Sequence, residues 1–232
     1  MTAISRHGLS GITSAKIAGA AGHTAASINF HFGSQEALLL ATLTEVSEEF
    51  AEVMAGVLAE AGGDDLQSLL GIVDASLGRR LSEARKVAVW YAFLGESNAR
   101  TDYQRVCGER DQAWSQTVIE RCRRLIAAQG ESLSRDAEAI ALGLMGLIDQ
   151  QWQGILFEGD GFDREAARRQ CRAYLRSVFP SLATRLDAPA QARLREPEAP
   201  ADPALRRTLP GWVYHSEEFH ALEREKIFVP SW

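Results

Sequence analysis

Cysteine is scarce in the 232-residue chain: there are three, and Cys107, Cys122 and Cys171 stand far apart inside helical patterns. That spacing gives neither a disulfide framework nor the short ligand pairs of a zinc site, so all three read as core thiols. Long apolar runs are missing too. ALLLATL and AIALGLMGLI fall far short of the roughly 20 residues a membrane span needs, and the N-terminus has no long apolar signal core. The expectation is a cytoplasmic protein with no membrane partner. Strand signals are equally sparse, with no sustained period-two alternation and no Asn-Gly or Asp-Gly hairpin turn between β-branched runs. No repeat of fixed period recurs, which argues against a helical solenoid.

What is present begins with 46% apolar residues, enough for a buried core in one or two domains. The net charge of -6 argues against a chain that coats nucleic acid, yet the charge is unevenly spread. Residues 1–35 hold Arg6 and Lys16 and no acid, so all 31 carboxylates lie beyond them. A nonacidic head on an acidic body suggests a division of labour.

Helical periodicity covers most of the chain. From an N-cap at Ser34, SQEALLLATLTEVSEEFAEVMAGVLAEAGG repeats apolar residues at three and four, predicting one long helix that stops at Gly62-Gly63. Asp64 or Asp65 caps LQSLLGIVDASLGRRL, and a further helix carries Val87, Trp90, Tyr91 and Leu94 at helical spacing. The next opens at Thr101, runs through Tyr103, Trp114, Val118 and Leu125, and stops at Gly130. Ser134 caps RDAEAIALGLMGLIDQQWQGILFEG. Asp163 starts a last helix with Ala167, Cys171, Tyr174, Leu175 and Val178 on one face, ahead of Pro180. Beyond residue 184 the stretch APAQARLREPEAPADPALRR holds four prolines and reads as a linker or disordered arm. The fold class expected is all-α.

The most informative stretch is GITSAKIAGAAGHTAASINFHFGSQEALLL. Thr13 caps a short helix lined by Ile17, Ala18 and Ala21, and Gly22 ends it. Thr24 caps a second short helix in which Ile28 and Phe32 face inward while Ala25, Ala26, Asn29 and Phe30 point away. Two short helices joined by a tight glycine turn can place the second in a DNA major groove. Such a capped, alanine-rich helix also occurs as plain packing.

On these residues the segment resembles the helix-turn-helix head of TetR-type transcriptional repressors, and the helical layout that follows is similar to theirs over most of residues 1–184. The resemblance implies a nine-helix layout with a variable ligand-binding body. It also implies that Thr13 and Thr24 meet phosphates at helix N-termini, with Lys16 and Ser27 beside them and His31 adding a contact. Ala25, Ala26, Asn29 and Phe30 would face base edges, Asn29 pairing with adenine and the alanines touching thymine methyls. Three positions depart from the family pattern. Asn29 replaces an aromatic residue, Gln35 replaces a phosphate-binding lysine, and only MTAISR stands where a full first helix is usual. The expectation is weaker phosphate affinity and a truncated first helix, with either a start other than Met1 or a less stable head.

Residues 134–179 hold two amphipathic helices where this family forms a four-helix dimer interface, so a homodimer on a near-palindromic operator is implied. Trp90, Tyr91, Trp114, Trp152 and Phe157 lie on three helices, with Glu96 and Asp149 near them in sequence. Aromatic faces plus a carboxylate suit a quaternary ammonium cation, though aromatics on helical stripes are commonly core. AFLGES and LGLMGLIDQQWQGILFEG resemble the choline-responsive BetI branch, which implies choline, betaine or a related small-molecule effector that lowers DNA affinity. The candidate effector residues are Trp90, Tyr91, Glu96, Trp114, Asp149 and Trp152; no catalytic residue, metal site or cofactor is expected.

The closing LPGWVYHSEEFHALEREKIFVPSW resembles the N-terminal start of Rieske-type oxygenase large subunits, whose iron–sulfur cluster needs two Cys and two His. The tail has no cysteine, and His215 and His220 lie five apart in an acidic stretch. The organisation expected is thus a helix-turn-helix domain over 1–44, a ligand-binding and dimerisation domain over 45–184, a Pro-rich linker over 185–208 and an oxygenase-like fragment over 209–232. The function expected is a non-enzymatic repressor released by a small molecule. The alternative is a fusion fragment related to a ring-hydroxylating oxygenase, inactive for lack of metal ligands.

Overall fold

Side-chain caps set where most of the helices begin. The computed structural model describes residues 1–96, 99–130 and 136–187. Among them are eleven α-helical segments and no strand: α1 (Thr2–His7), α2 (Ser14–Ala21), α3 (Ala25–Phe32), α4 (Gln35–Glu60), α5 (Asp65–Ser76), α6 (Arg79–Ser82), α7 (Ala84–Gly95), α8 (Arg100–Ala128), α9 (Ala137–Glu158), α10 (Arg164–Val178) and α11 (Ala183–Asp187). The hydroxyls of Thr13, Thr24 and Ser34 accept the backbone N–H of Lys16, Ser27 and Ala37 at 3.3, 3.3 and 3.1 Å, opening α2, α3 and α4. Asp64 caps α5 through the N–H groups of Leu66 and Gln67, both at 3.0 Å, and Asp163 caps α10 through Ala166 at 2.8 Å. The expected cap Ser134 lies outside the described residues; Asp136 accepts from the N–H of Glu138 at 2.9 Å and opens α9.

Several boundaries differ from the sequence expectation. The segment after Asp64 is two helices, because Arg164 captures the joint: its guanidinium donates to the Leu77 carbonyl at 2.6 Å, to Ser82 Oγ at 2.7 Å and to the Ser82 carbonyl at 2.8 Å. The helix expected from Thr101 begins one residue earlier, without a side-chain cap. α11 reaches Asp187 with Leu186 buried, so helical order continues past the start expected for the linker. At the other end, α1 is a helix of six residues, Thr2–His7, whose Ala3 and Ile4 are buried.

Two buried clusters hold the described residues. The larger joins α5, α8, α9 and α10 through Leu66, Leu69, Val118, Leu144, Leu175 and Phe179. Each such side chain contributes about 1.5–3 kcal/mol on leaving water. The smaller joins Ala3 and Ile4 of α1, Leu43 and Val46 of α4, Val89, Trp90 and Phe93 of α7, and Tyr103 and Cys107 of α8. It therefore ties the head to the body, as does α4, which crosses the expected boundary at residue 44 without a break. All three cysteines are buried, and burial pushes the Cys122 thiol up to about 12 and Cys171 up to about 11, which makes them inert packing groups.

Candidate functional sites: the helical head and an aromatic cavity

In the head, Gly22 ends α2 at φ 74, a left-handed conformation that glycine adopts without a Cβ penalty, so α3 can turn off at once. Ile28 of α3 is buried, which leaves Ala25, Ala26, Asn29, Phe30 and His31 exposed on the outer face. Phe30 is 62% exposed and stands edge-on to His31 at 5.1 Å. A large apolar ring held in water beside alanines and an asparagine forms a surface suited to contact another molecule. Thr24 and Ser27 hydroxyls lie 3.0 Å apart at the start of α3.

Two residues expected to meet phosphate are engaged within the head. Lys16 Nζ donates to the Gly11 carbonyl at 2.6 Å, which holds its charge over the start of α2. Gln35 Nε2 donates to the Ile12 carbonyl at 3.3 Å while its Oε1 accepts from the Ser14 hydroxyl at 3.2 Å. Gln35 thus clips the start of α4 to the start of α2, a role available to an amide and not to a lysine, which has no acceptor.

The body holds a cavity of about 360 Å³, open to solvent at its rim, between α4, α5, α7, α8 and α9. Its wall carries six aromatic side chains: Phe50, Trp90, Tyr91, Tyr103, Trp114 and Trp152. Phe50 of α4 sits edge-on to Trp114 at 5.5 Å and to Trp90 and Trp152 at 6.4 Å each, and Trp90 meets Tyr103 at 6.0 Å. Edge-to-face geometry keeps these rings from collapsing into a flat stack. Trp152 Nε1 donates to the Ser76 carbonyl at 2.8 Å, fixing that ring from α5.

Two carboxylates line the same cavity, each held by a tyrosine. Tyr91 OH donates to Asp149 at 2.6 Å, and Tyr103 OH donates to Asp111 at 2.8 Å. Burial, and after it the adjacent aspartate, pushes both phenols above their ordinary range, so each remains a protonated donor. Burial also raises the Asp111 carboxyl, opposed by the hydrogen bond from Tyr103.

Of the six effector residues expected from sequence, Trp90, Tyr91, Trp114, Asp149 and Trp152 line this cavity. Glu96 is not among the lining residues: it caps the C-terminal end of α7, five residues on from Tyr91 and turned away by about 140° at 100° per residue. Phe157 is displaced for the same reason, five residues past Trp152, and is 83% exposed. Phe50, Tyr103 and Asp111 were absent from the expected set. Tyr103, Cys107 and Asp111 advance by fours along α8, a signal that could have joined the second carboxylate to its phenol. Among the described residues no group of three His, Cys, Asp or Glu is set to hold a metal ion, and no helix is long and apolar enough to cross a membrane.

A helical protein whose capped head presents a second short helix, and whose body holds an aromatic cavity, belongs to the class of helix-turn-helix regulators. Residues 1–42 match the family model described as bacterial regulatory proteins, tetR family, and residues 65–180 match the BetI-type transcriptional repressor C-terminal model. The chain belongs to the TetR family of transcriptional regulators, with a C-terminal domain of the BetI type. An HTH-type transcriptional regulator BetI of Stenotrophomonas maltophilia (strain R551-3) is 27% identical over 168 residues, covering 72% of this chain and 83% of that protein. Another, from Agrobacterium fabrum (strain C58 / ATCC 33970), is 30% identical over 151 residues, covering 63% of this chain and 68% of that protein. A crystal structure from Pseudomonas aeruginosa PAO1, of a protein named as a transcriptional regulator, shares the fold with a TM-score of 0.61 at 22% identity, over 80% of this chain and 88% of that one. These relatives are regulators rather than enzymes, and the oxygenase-fragment alternative is not supported; residues 209–232, on which it rested, lie outside the described residues.

Proposed function

We propose that the chain is a homodimeric, operator-binding repressor released by a quaternary ammonium effector such as choline, betaine or a related compound. The observation that carries the reading is the cavity, in which six aromatic side chains surround two tyrosine-held carboxylates. An aromatic face attracts such a cation by about 0.5–2 kcal/mol, most strongly where water is excluded. The names of the BetI relatives are consistent with it.

In this reading residues 1–44 contact DNA and residues 45–184 bind effector and partner, while 185–208 link to a C-terminal segment, 209–232. Thr13, Lys16, Thr24, Ser27, His31 and Gln35 lie on the phosphate side of the head. Ala25, Ala26, Asn29 and Phe30 face base edges in the major groove. Leu142 and Phe157 leave apolar surface uncovered on α9, 53% and 83% exposed, which supports a two-fold interface through α9 and α10. Such a dimer sets two α3 helices about 34–36 Å apart, one turn of DNA. Release follows from shared packing, since Trp90 and Tyr103 line the cavity and also belong to the core that holds α1. A gel shift on the chain's own upstream DNA at fixed low salt tests the proposal. The expected result is a retarded complex that dissolves with choline or betaine; no complex at low salt overturns it.

A further inference from the structure

Resting on the assignment of α3 as the helix that enters the major groove, we infer that it reads its operator through thymine methyl groups and adenine edges, and takes no sequence information from guanine. The exposed residues of α3 are Ala25, Ala26, Asn29, Phe30 and His31, and the helix AASINFHF holds no Arg, Lys, Gln, Asp or Glu. The cationic fork that pairs with guanine O6 and N7, and the carboxylate that accepts from cytosine N4, are therefore both missing from the reading face. Nearby polar groups are engaged. The hydroxyls of Thr24 and Ser27 bond each other at 3.0 Å, and His31 stands edge-on to the Phe30 ring. Lys16, the one lysine or arginine within residues 13–33, lies on α2 and donates to the Gly11 carbonyl at 2.6 Å. The Asn29 amide carries a donor and an acceptor on one planar group, the pair that adenine N7 and N6 require.

Phe30 supplies the apolar counterpart. It is 62% exposed, and a ring kept in water on a helix face otherwise lined by alanine gains by covering a thymine 5-methyl group, which only an A·T pair places in the major groove. Cytosine presents no methyl there, and its N4 donor would be left unpaired against the ring. Selection thus combines methyl burial in favour of A·T with a desolvation penalty against G·C. The head's few fixed positive charges leave these contacts a larger share of the affinity, because phosphate contacts supply the sequence-independent part.

The test is a gel shift of the full-length protein on its own upstream DNA, prepared in three forms that keep the base sequence: ordinary, with uracil for every thymine, and with 7-deazaguanine for every guanine. Uracil removes the 5-methyl group, and 7-deazaguanine removes the N7 acceptor. Burial of one methyl group is worth about 4-fold in affinity, and a dimer makes each contact twice, so the uracil form is expected to bind at least about 10-fold more weakly. The 7-deazaguanine form is expected to stay within about 3-fold of ordinary DNA. Phe30 belongs to neither buried cluster, so Phe30→Ala is expected to melt as the parent does while its uracil penalty shrinks by at least about 3-fold. A uracil form bound within about 3-fold of ordinary DNA, a 7-deazaguanine form weakened as much as the uracil form, or a uracil penalty unchanged in Phe30→Ala overturns the inference and leaves operator binding by the head standing. No complex with ordinary DNA at low salt overturns the inference and the proposed repressor alike.

Discussion

Tyr103 and Asp111 show how two residues eight apart on one helix set the chemistry of the cavity they both line. The carboxyl is raised by burial and lowered by the phenol's hydrogen bond. Replacing Tyr103 with Phe removes the lowering cause and leaves burial, so the folded-state pKa of Asp111 rises further. Under the proposed effector class, cation binding needs the ionised carboxylate. The expected outcome is that effector affinity, measured by titration across pH 4–8, begins to weaken at higher pH in Tyr103→Phe than in the parent protein. A second prediction concerns Gly143 on α9, where an added Cβ would lie 2.2 Å from Tyr174 OH. That hydroxyl cannot swing away freely, because it donates to the Ile140 carbonyl at 2.8 Å. Gly143→Ala is expected to destabilise the fold by about 1–3 kcal/mol, read as a lower midpoint in thermal or denaturant unfolding.

At the scale of elements, Asp64 joins two segments through one side chain: it caps α5 and pairs with Arg185 of α11. Desolvation raises its pKa, but the N–H of Gln67, the Arg185 guanidinium and the N–H of Leu66 together hold it below the ordinary carboxylate value. A carboxyl depressed in the folded state stabilises above its unfolded pKa and loses that contribution as pH falls through the folded value. Asp64→Ala is therefore expected to cost about 1 kcal/mol at neutral pH and progressively less below about pH 4, as followed by urea unfolding at several pH values. Gln35 performs a comparable joining role in the head, where it fixes the start of α4 against α2. Because α4 also carries Phe50 into the cavity, one helix links the two ends of the described structure.

At the scale of the whole molecule, the proposed mechanism makes two quantitative demands. Binding free energies couple reciprocally, so if effector weakens operator affinity by a given factor, operator DNA must weaken effector affinity by the same factor. Tryptophan titration with and without a saturating operator duplex measures this, and unequal factors would sink the single-coupling picture. The head also carries few cations: Arg6 and Lys16 in residues 1–35, with Lys16 partly engaged by the Gly11 carbonyl. Two heads then release few counterions. The slope of log K against log salt is expected to be no steeper than about -4. Gel shifts over a salt series read that slope directly.

The helices and the head were legible in the chain alone, because caps and three-to-four periodicity are local: Thr13, Thr24, Ser34, Asp64 and Asp163 each stand two or three residues from the N–H groups they accept. The break at Leu77 was not, since the guanidinium that captures it comes from Arg164, 87 positions away. The cavity divides the same way. Sequence placed Trp90, Tyr91, Trp114, Asp149 and Trp152 on helical faces, but it chose Glu96 by proximity along the chain and passed over Phe50, Tyr103 and Asp111. Periodicity tells which side chains share one face of one helix. Which faces meet around a common space is decided by packing among five helices, and here only that packing brought two tyrosine-held carboxylates to one aromatic wall.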